Sequence, residues 1–67
     1  MLRFEAGRVK AARVSRGWTV PRAARRSRVS CRALYFIEAG TVSPRVDTLA
    51  RIAHALGVPI ESFFARS

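Results

Sequence analysis

Apolar side chains fall in five stretches with helical spacing, separated by short breakers, and no stretch shows sustained period-2 alternation. The first helix is expected from about Phe4 to Ser15, with Phe4, Val9, Ala12 and Val14 as its apolar positions and Gly17 just beyond its end. Thr19 suits the N-cap of a second helix, with Pro21 in its first turn, where a missing amide proton costs least. Ala23, Ala24 and Ser27 are small, so this helix can approach its neighbours closely. Ser30 and Gly40 suit the N-cap and the C′ position of a third helix. At about 100° per residue, its Leu34 and Ile37 lie together with Glu38 beside them, while Arg32, Phe36 and Ala39 point the opposite way. After a loop over residues 41–44, Val46, Leu49, Ile52, Ala53 and Leu56 mark a fourth helix from about Val46 to Leu56, stopped by Gly57. Val58 and Pro59 lead into a last helix, Ile60 to about Ala65, with Ile60, Phe63 and Phe64 on one side. The expectation is an all-α fold: a compact five-helix bundle with short loops and no strands.

Composition narrows this picture. A chain of 67 residues allows a single domain, 1–67, whose small core gains from helix-rich packing or from oligomerisation. Its 49% hydrophobic content argues for a globular fold. One cysteine, Cys31, excludes an internal disulfide and a cysteine-based zinc site, which fits a reducing cytoplasm. The N-terminus has Glu5 and no apolar core of a signal peptide, and no apolar run approaches the roughly 20 residues of a membrane span. No membrane association is expected.

The net charge of +9 is unevenly placed. Residues 6–37 carry nine basic side chains (Arg8, Lys10, Arg13, Arg16, Arg22, Arg25, Arg26, Arg28, Arg32) and no acid. Residues 38–67 carry Arg45, Arg51 and Arg66 against Glu38, Asp47 and Glu61, so that half is neutral. Two readings are open: attraction to a polyanion, or an arginine-rich solvated surface without a partner. The complete lack of acids across residues 6–37 weighs toward the polyanion, because surfaces ordinarily mix both signs. A short capped helix with an outward arginine and aromatics, in so basic a chain, is what a DNA major groove accepts.

Catalytic chemistry finds no support. No glycine-rich phosphate loop, paired carboxylates or metal motif is present, so no cofactor, metal or small-molecule ligand is expected. Nucleophilic catalysis would need Cys31 to find a base, and the single histidine, His54, belongs to a different helix. His54 has no ligand-spaced companion and reads as a surface residue. The chain is not expected to be an enzyme.

The ordered set Arg13, Gly17-Trp18-Thr19, Ala23-Ala24, Val29-Ser30, Leu34, Ile37-Glu38-Ala39-Gly40, Pro44, Thr48-Leu49, Ala53, Leu56-Gly57-Val58 and Phe64 resembles the Cro/phage-repressor-type helix-turn-helix family, also called xenobiotic-response-element-like. The resemblance covers residues 8–64. It implies five helices, with helices 2 and 3 as the DNA-binding unit, helix 3 in the major groove, and dimers reading two half-sites about one helical turn apart. It also implies a partly buried salt bridge between Arg13 and Glu38; the other reading of Glu38 is a carboxylate at the helix edge in water. Three positions depart from the family pattern. Val20 stands where a phosphate-holding glutamine is usual, Arg28 replaces the usual glycine of the interhelical turn, and Trp18 replaces a core leucine. Trp18 is expected to pack rather than to stack on a base. Arg28 in a left-handed conformation would cost on the order of 1 kcal/mol relative to glycine.

On this resemblance helix 3 places Cys31, Arg32, Tyr35 and Phe36 where base edges would lie. Arg32 can bridge O6 and N7 of guanine, or clamp a phosphate. Phe36 can touch a thymine methyl, or mark a protein interface. Tyr35, on the flank, can donate to a phosphate, and Cys31 is a small base-edge contact, a spectator or a redox switch. Phosphate contacts are expected from Thr19, Arg22, Arg28, the amides around Gly40 and Thr41, and Arg45. The leading expectation is a sequence-specific regulator, a repressor, that binds a palindromic operator as a homodimer. A dimer surface can include Val58, Pro59, Ile60 and Phe63, although Ile60, Phe63 and Phe64 also compete for the core. The alternative is an antitoxin that binds a toxin partner as well as its own promoter. Such proteins often carry a further segment, whereas this chain ends at Ser67, three residues past Phe64, which weighs toward the plain regulator. Sequence-indifferent binding to nucleic acid is a third reading, favoured by charge alone.

Overall fold

The computed structural model describes residues 1–66; Ser67, the last residue of the expected domain, lies outside the described residues. Four α-helices are formed: α1 (Ala6–Ser15), α2 (Val20–Ser27), α3 (Cys31–Ala39) and α4 (Val46–Leu56). Punctuation sets their ends. The Thr19 hydroxyl accepts from the Arg22 amide at 3.3 Å, and the Ser30 hydroxyl accepts from the Ala33 amide at 3.0 Å. Gly40 and Gly57 close α3 and α4 at φ 75° and 71°, a region that a Cβ disfavours. α2 packs on α4 and on α3, and α1 packs on α3. Their shared core contains Val9, Trp18, Val20, Ala23, Ala24, Leu34, Ile37, Leu49, Ile52, Ala53, Leu56 and Phe63.

The chain ends correct the all-α, five-helix expectation. The fifth segment is only a single 3-10 turn, Ile60–Phe63, and it runs directly into a strand. Strand β1 (Leu2–Phe4) pairs antiparallel with β2 (Phe64–Arg66) in the register Leu2↔Arg66, Arg3↔Ala65, Phe4↔Phe64. Phe4 and Phe64 meet edge to face with centroids 5.9 Å apart, and the Glu5 amide donates to the Phe63 carbonyl at 2.9 Å. This pairing satisfies backbone groups that a longer terminal helix would have used internally, and it starts α1 two residues later than expected. Phe63 is fully buried, which removes it from the candidate dimer surface. Val14 and Val46, expected on apolar faces, are exposed instead. Val46 is the first residue of α4, where the chain has not yet turned against the core.

Candidate nucleic-acid interface

The unit α2–turn–α3 is built around one backbone feature. Arg28, at φ 60° and ψ 40°, is the one non-glycine residue with positive φ among the described residues. Its left-handed conformation turns the chain sharply after α2, and the Val29 amide then bonds back to the Ala24 carbonyl at 3.0 Å. Small buried Ala23 and Ala24 let α2 lie close to its neighbours. α3 turns Leu34 and Ile37 into the core, while Cys31, Arg32, Tyr35 and Phe36 stand exposed on its other side. Phe36 is 41% exposed and Tyr35 59%, large fractions for aromatics on a short helix. The Arg32 guanidinium lies 5.5 Å from the Phe36 ring centroid, a cation–π contact between neighbouring turns of α3 that limits its freedom. Beside Phe36 an apolar cleft of about 320 Å³ is lined by Ala33, Ile37, Val42 and Pro44.

Glu38 lies at the inner edge of α3 and meets Arg13 of α1 in a two-pronged pair. Nε of Arg13 donates to Oε2 at 2.8 Å and Nη2 to Oε1 at 3.0 Å. The third nitrogen, Nη1, donates to the Trp18 carbonyl at 2.8 Å, so one guanidinium ties α1, α3 and the entry to α2. Side-chain exposures of 12% for Arg13 and 7% for Glu38 place the pair largely out of water. The carboxylate's hydrogen bonds hold the Arg13 pKa above its ordinary value, against the opposing effect of burial.

The residues proposed for phosphate contact fare differently. Thr19, Arg22 and Arg28 are exposed around α2. Arg45 is exposed too, but its Nε sits 3.3 Å from Asp47, which also faces Arg51 at 3.6 Å. Exposed pairs of this kind are weak and yield readily to a better anion. Gly40 and Thr41, expected among the phosphate donors, already have partners within the protein. The Gly40 amide already donates to Ile37 and the Thr41 amide to Phe36, each at 3.2 Å, and the Thr41 hydroxyl donates to Phe36 as well. These donors close the end of α3. Val20 lies in the core, consistent with its inability to hold a phosphate. Sequence reasoning missed the surroundings of Trp18: Arg16, Arg22 and Arg26 all approach its ring. Arg22 and Arg26 are four residues apart on α2 and share a face that the spacing marks, whereas the approach of Arg16 depends on the fold.

Among the described residues no group of three or more His, Cys, Asp or Glu side chains is placed to hold a metal, and no helix is long and apolar enough to cross a membrane. Cys31 is exposed and unpaired, and His54 is exposed on α4.

Comparison with known proteins gives one family match. The chain matches none of the curated proteins with which it was compared. The family model described as helix-turn-helix matches residues 9–63, which take in α1 from Val9 onward, all of α2, α3 and α4, and the turn at Arg28. With that span matched, and with α2 and α3 arranged as described, the chain belongs to the Cro/C1-type helix-turn-helix family, a family of DNA-binding transcription regulators and not of enzymes.

Proposed function

We propose that this chain is a sequence-specific cytoplasmic repressor that binds a palindromic operator as a homodimer, with residues 1–67 as one DNA-binding domain. The observation that carries this reading is the outer side of α3, where Arg32 and Phe36 stand exposed and in mutual contact on a helix whose inner side is locked to the core. In this reading α3 lies in the major groove. Arg32 takes O6 and N7 of a guanine, Phe36 meets a thymine methyl, and Tyr35 and Cys31 border the same base pairs. Thr19, Arg22, Arg28 and Arg45 hold phosphates and fix the register without reading sequence. The Gly40 and Thr41 donors are left out of this set, because the α3 cap uses them. A two-fold dimer places its second α3 about 34 Å along the duplex, one helical turn away.

Selection of binding sites from a random duplex pool with the purified protein tests this reading. The expected result is an enriched motif with two-fold symmetry and a guanine in each half. An unstructured pool after repeated rounds would refute it, and would favour sequence-indifferent binding.

A further inference from the structure

Trp18 is packed into the core, yet three guanidiniums gather on its ring. The central carbons of Arg16, Arg22 and Arg26 lie 4.8, 5.5 and 5.6 Å from the ring centroid. Each guanidinium is drawn to the ring by the indole's quadrupole, which does not neutralise its charge. Among the described residues no carboxylate lies within 4.0 Å of any of the three: Glu5, Glu38 and Asp47 pair with Arg3, Arg8, Arg13, Arg45 and Arg51 instead. Arg16 is further steadied by donating to the Leu56 carbonyl at 3.3 Å. The cluster is therefore preorganised and uncompensated. It also borders the N-terminus of α2, where Thr19 caps the Arg22 amide and the helix field favours an anion.

We propose that Trp18 is the platform of an oxyanion site, formed by Arg16, Arg22 and Arg26, that takes a backbone phosphodiester of DNA outside the groove occupied by α3. Guanidinium planes match phosphate oxygens in pairs, and a ring that fixes them lowers the ordering cost of binding. DNA is the occupant favoured here because the other charged side chains of the acid-free stretch 6–37 carry the same sign and Arg22 is shared with the α2 terminus. The proposal rests on the DNA-binding reading but is independent of how sequence is read.

The test uses two variants, Arg16→Gln with Arg26→Gln, and Trp18→Leu. Thermal unfolding confirms that each is folded, and affinity is then measured for a selected site and for an unrelated duplex between about 50 and 200 mM salt. The expected result is a plot of log affinity against log salt that is shallower by about 0.9 per phosphate lost, or about 1.8 for a dimer. The loss should be the same on both duplexes, leaving the specificity ratio unchanged. An unchanged slope in the double glutamine variant overturns the site, and would indicate that the cluster faces an acidic protein surface instead. That variant decides the matter if Trp18→Leu does not fold. A wild-type protein that shows no preference for any selected site would sink the repressor reading, while the change in slope would still report the phosphate site.

Discussion

Arginine plays opposite parts in two regions of this molecule. In the seam between α1 and α3, Arg13 meets Glu38 through two hydrogen bonds, largely out of water. Around α2 and the outer side of α3, Arg16, Arg22, Arg26, Arg28 and Arg32 have no carboxylate within 4.0 Å among the described residues. In the seam, charge serves architecture: a paired ion out of water is committed, and moving either partner exposes the other to an unfavourable medium. On the outside, charge remains uncommitted and can be neutralised only by something the chain does not supply. α3 joins the two regions, since its inner edge carries Glu38 and its outer side carries Arg32, six residues earlier.

Four perturbations probe that contrast. The largest acts on the uncommitted side. If a dimer neutralises about 6–10 phosphates, its affinity for DNA falls by about 10³–10⁵-fold between 50 and 200 mM salt, as read by titration at each concentration. Affinity indifferent to salt would erase the distinction between the two regions. Next comes the seam. Glu38→Gln leaves Arg13 without its counter-ion and should lower unfolding stability by about 3 kcal/mol, whereas exposed Glu61→Gln should leave the denaturation midpoint in place. Equal shifts in the two variants would mean that the seam is no more structural than the surface. Third, Arg32→Ala should remove about 1–3 kcal/mol of discrimination at one base pair per half-site with little effect on stability, measured by competition between matched and mismatched duplexes. The smallest effect is at the turn. Arg28→Gly relieves the left-handed strain at φ 60° and should raise stability by about 1 kcal/mol while weakening binding to every duplex alike. A stability loss there would show that the arginine contributes more to the fold than its backbone costs.

The sequence was most legible where local chemistry decides the outcome. Thr19, Ser30, Gly40 and Gly57 end helices through their own hydroxyls or their lack of a Cβ, and all four stand at the boundaries expected for α2, α3 and α4. The periodicity of α4 also survives, except that Val46 begins the helix before its face meets the core. The chain ends were illegible for a physical reason. β1 and β2 are three residues each, too short to display alternation, and each is a strand only because the other lies beside it, about sixty positions away in sequence. The candidate interface shows the same division. Which α3 side chains face outward follows from helical geometry, and the residue positions of the resemblance anticipated Arg28 in the turn. The occupied amides of Gly40 and Thr41 and the arginines around Trp18 are properties of contacts. Spacing marks only the shared face of Arg22 and Arg26 on α2.

An outer side of α3 seated in a major groove, with Arg32 on a guanine, covers N7 of that base. Guanine N7 is accessible only from that groove, so methylation interference at N7 on a selected duplex reads the contact itself. Methylating one guanine in each half-site should block the wild-type protein and leave binding by Arg32→Ala, weaker overall, unaffected at that base. Interference confined to adenine N3 in the minor groove, or an identical N7 pattern for both proteins, would refute the placement of α3.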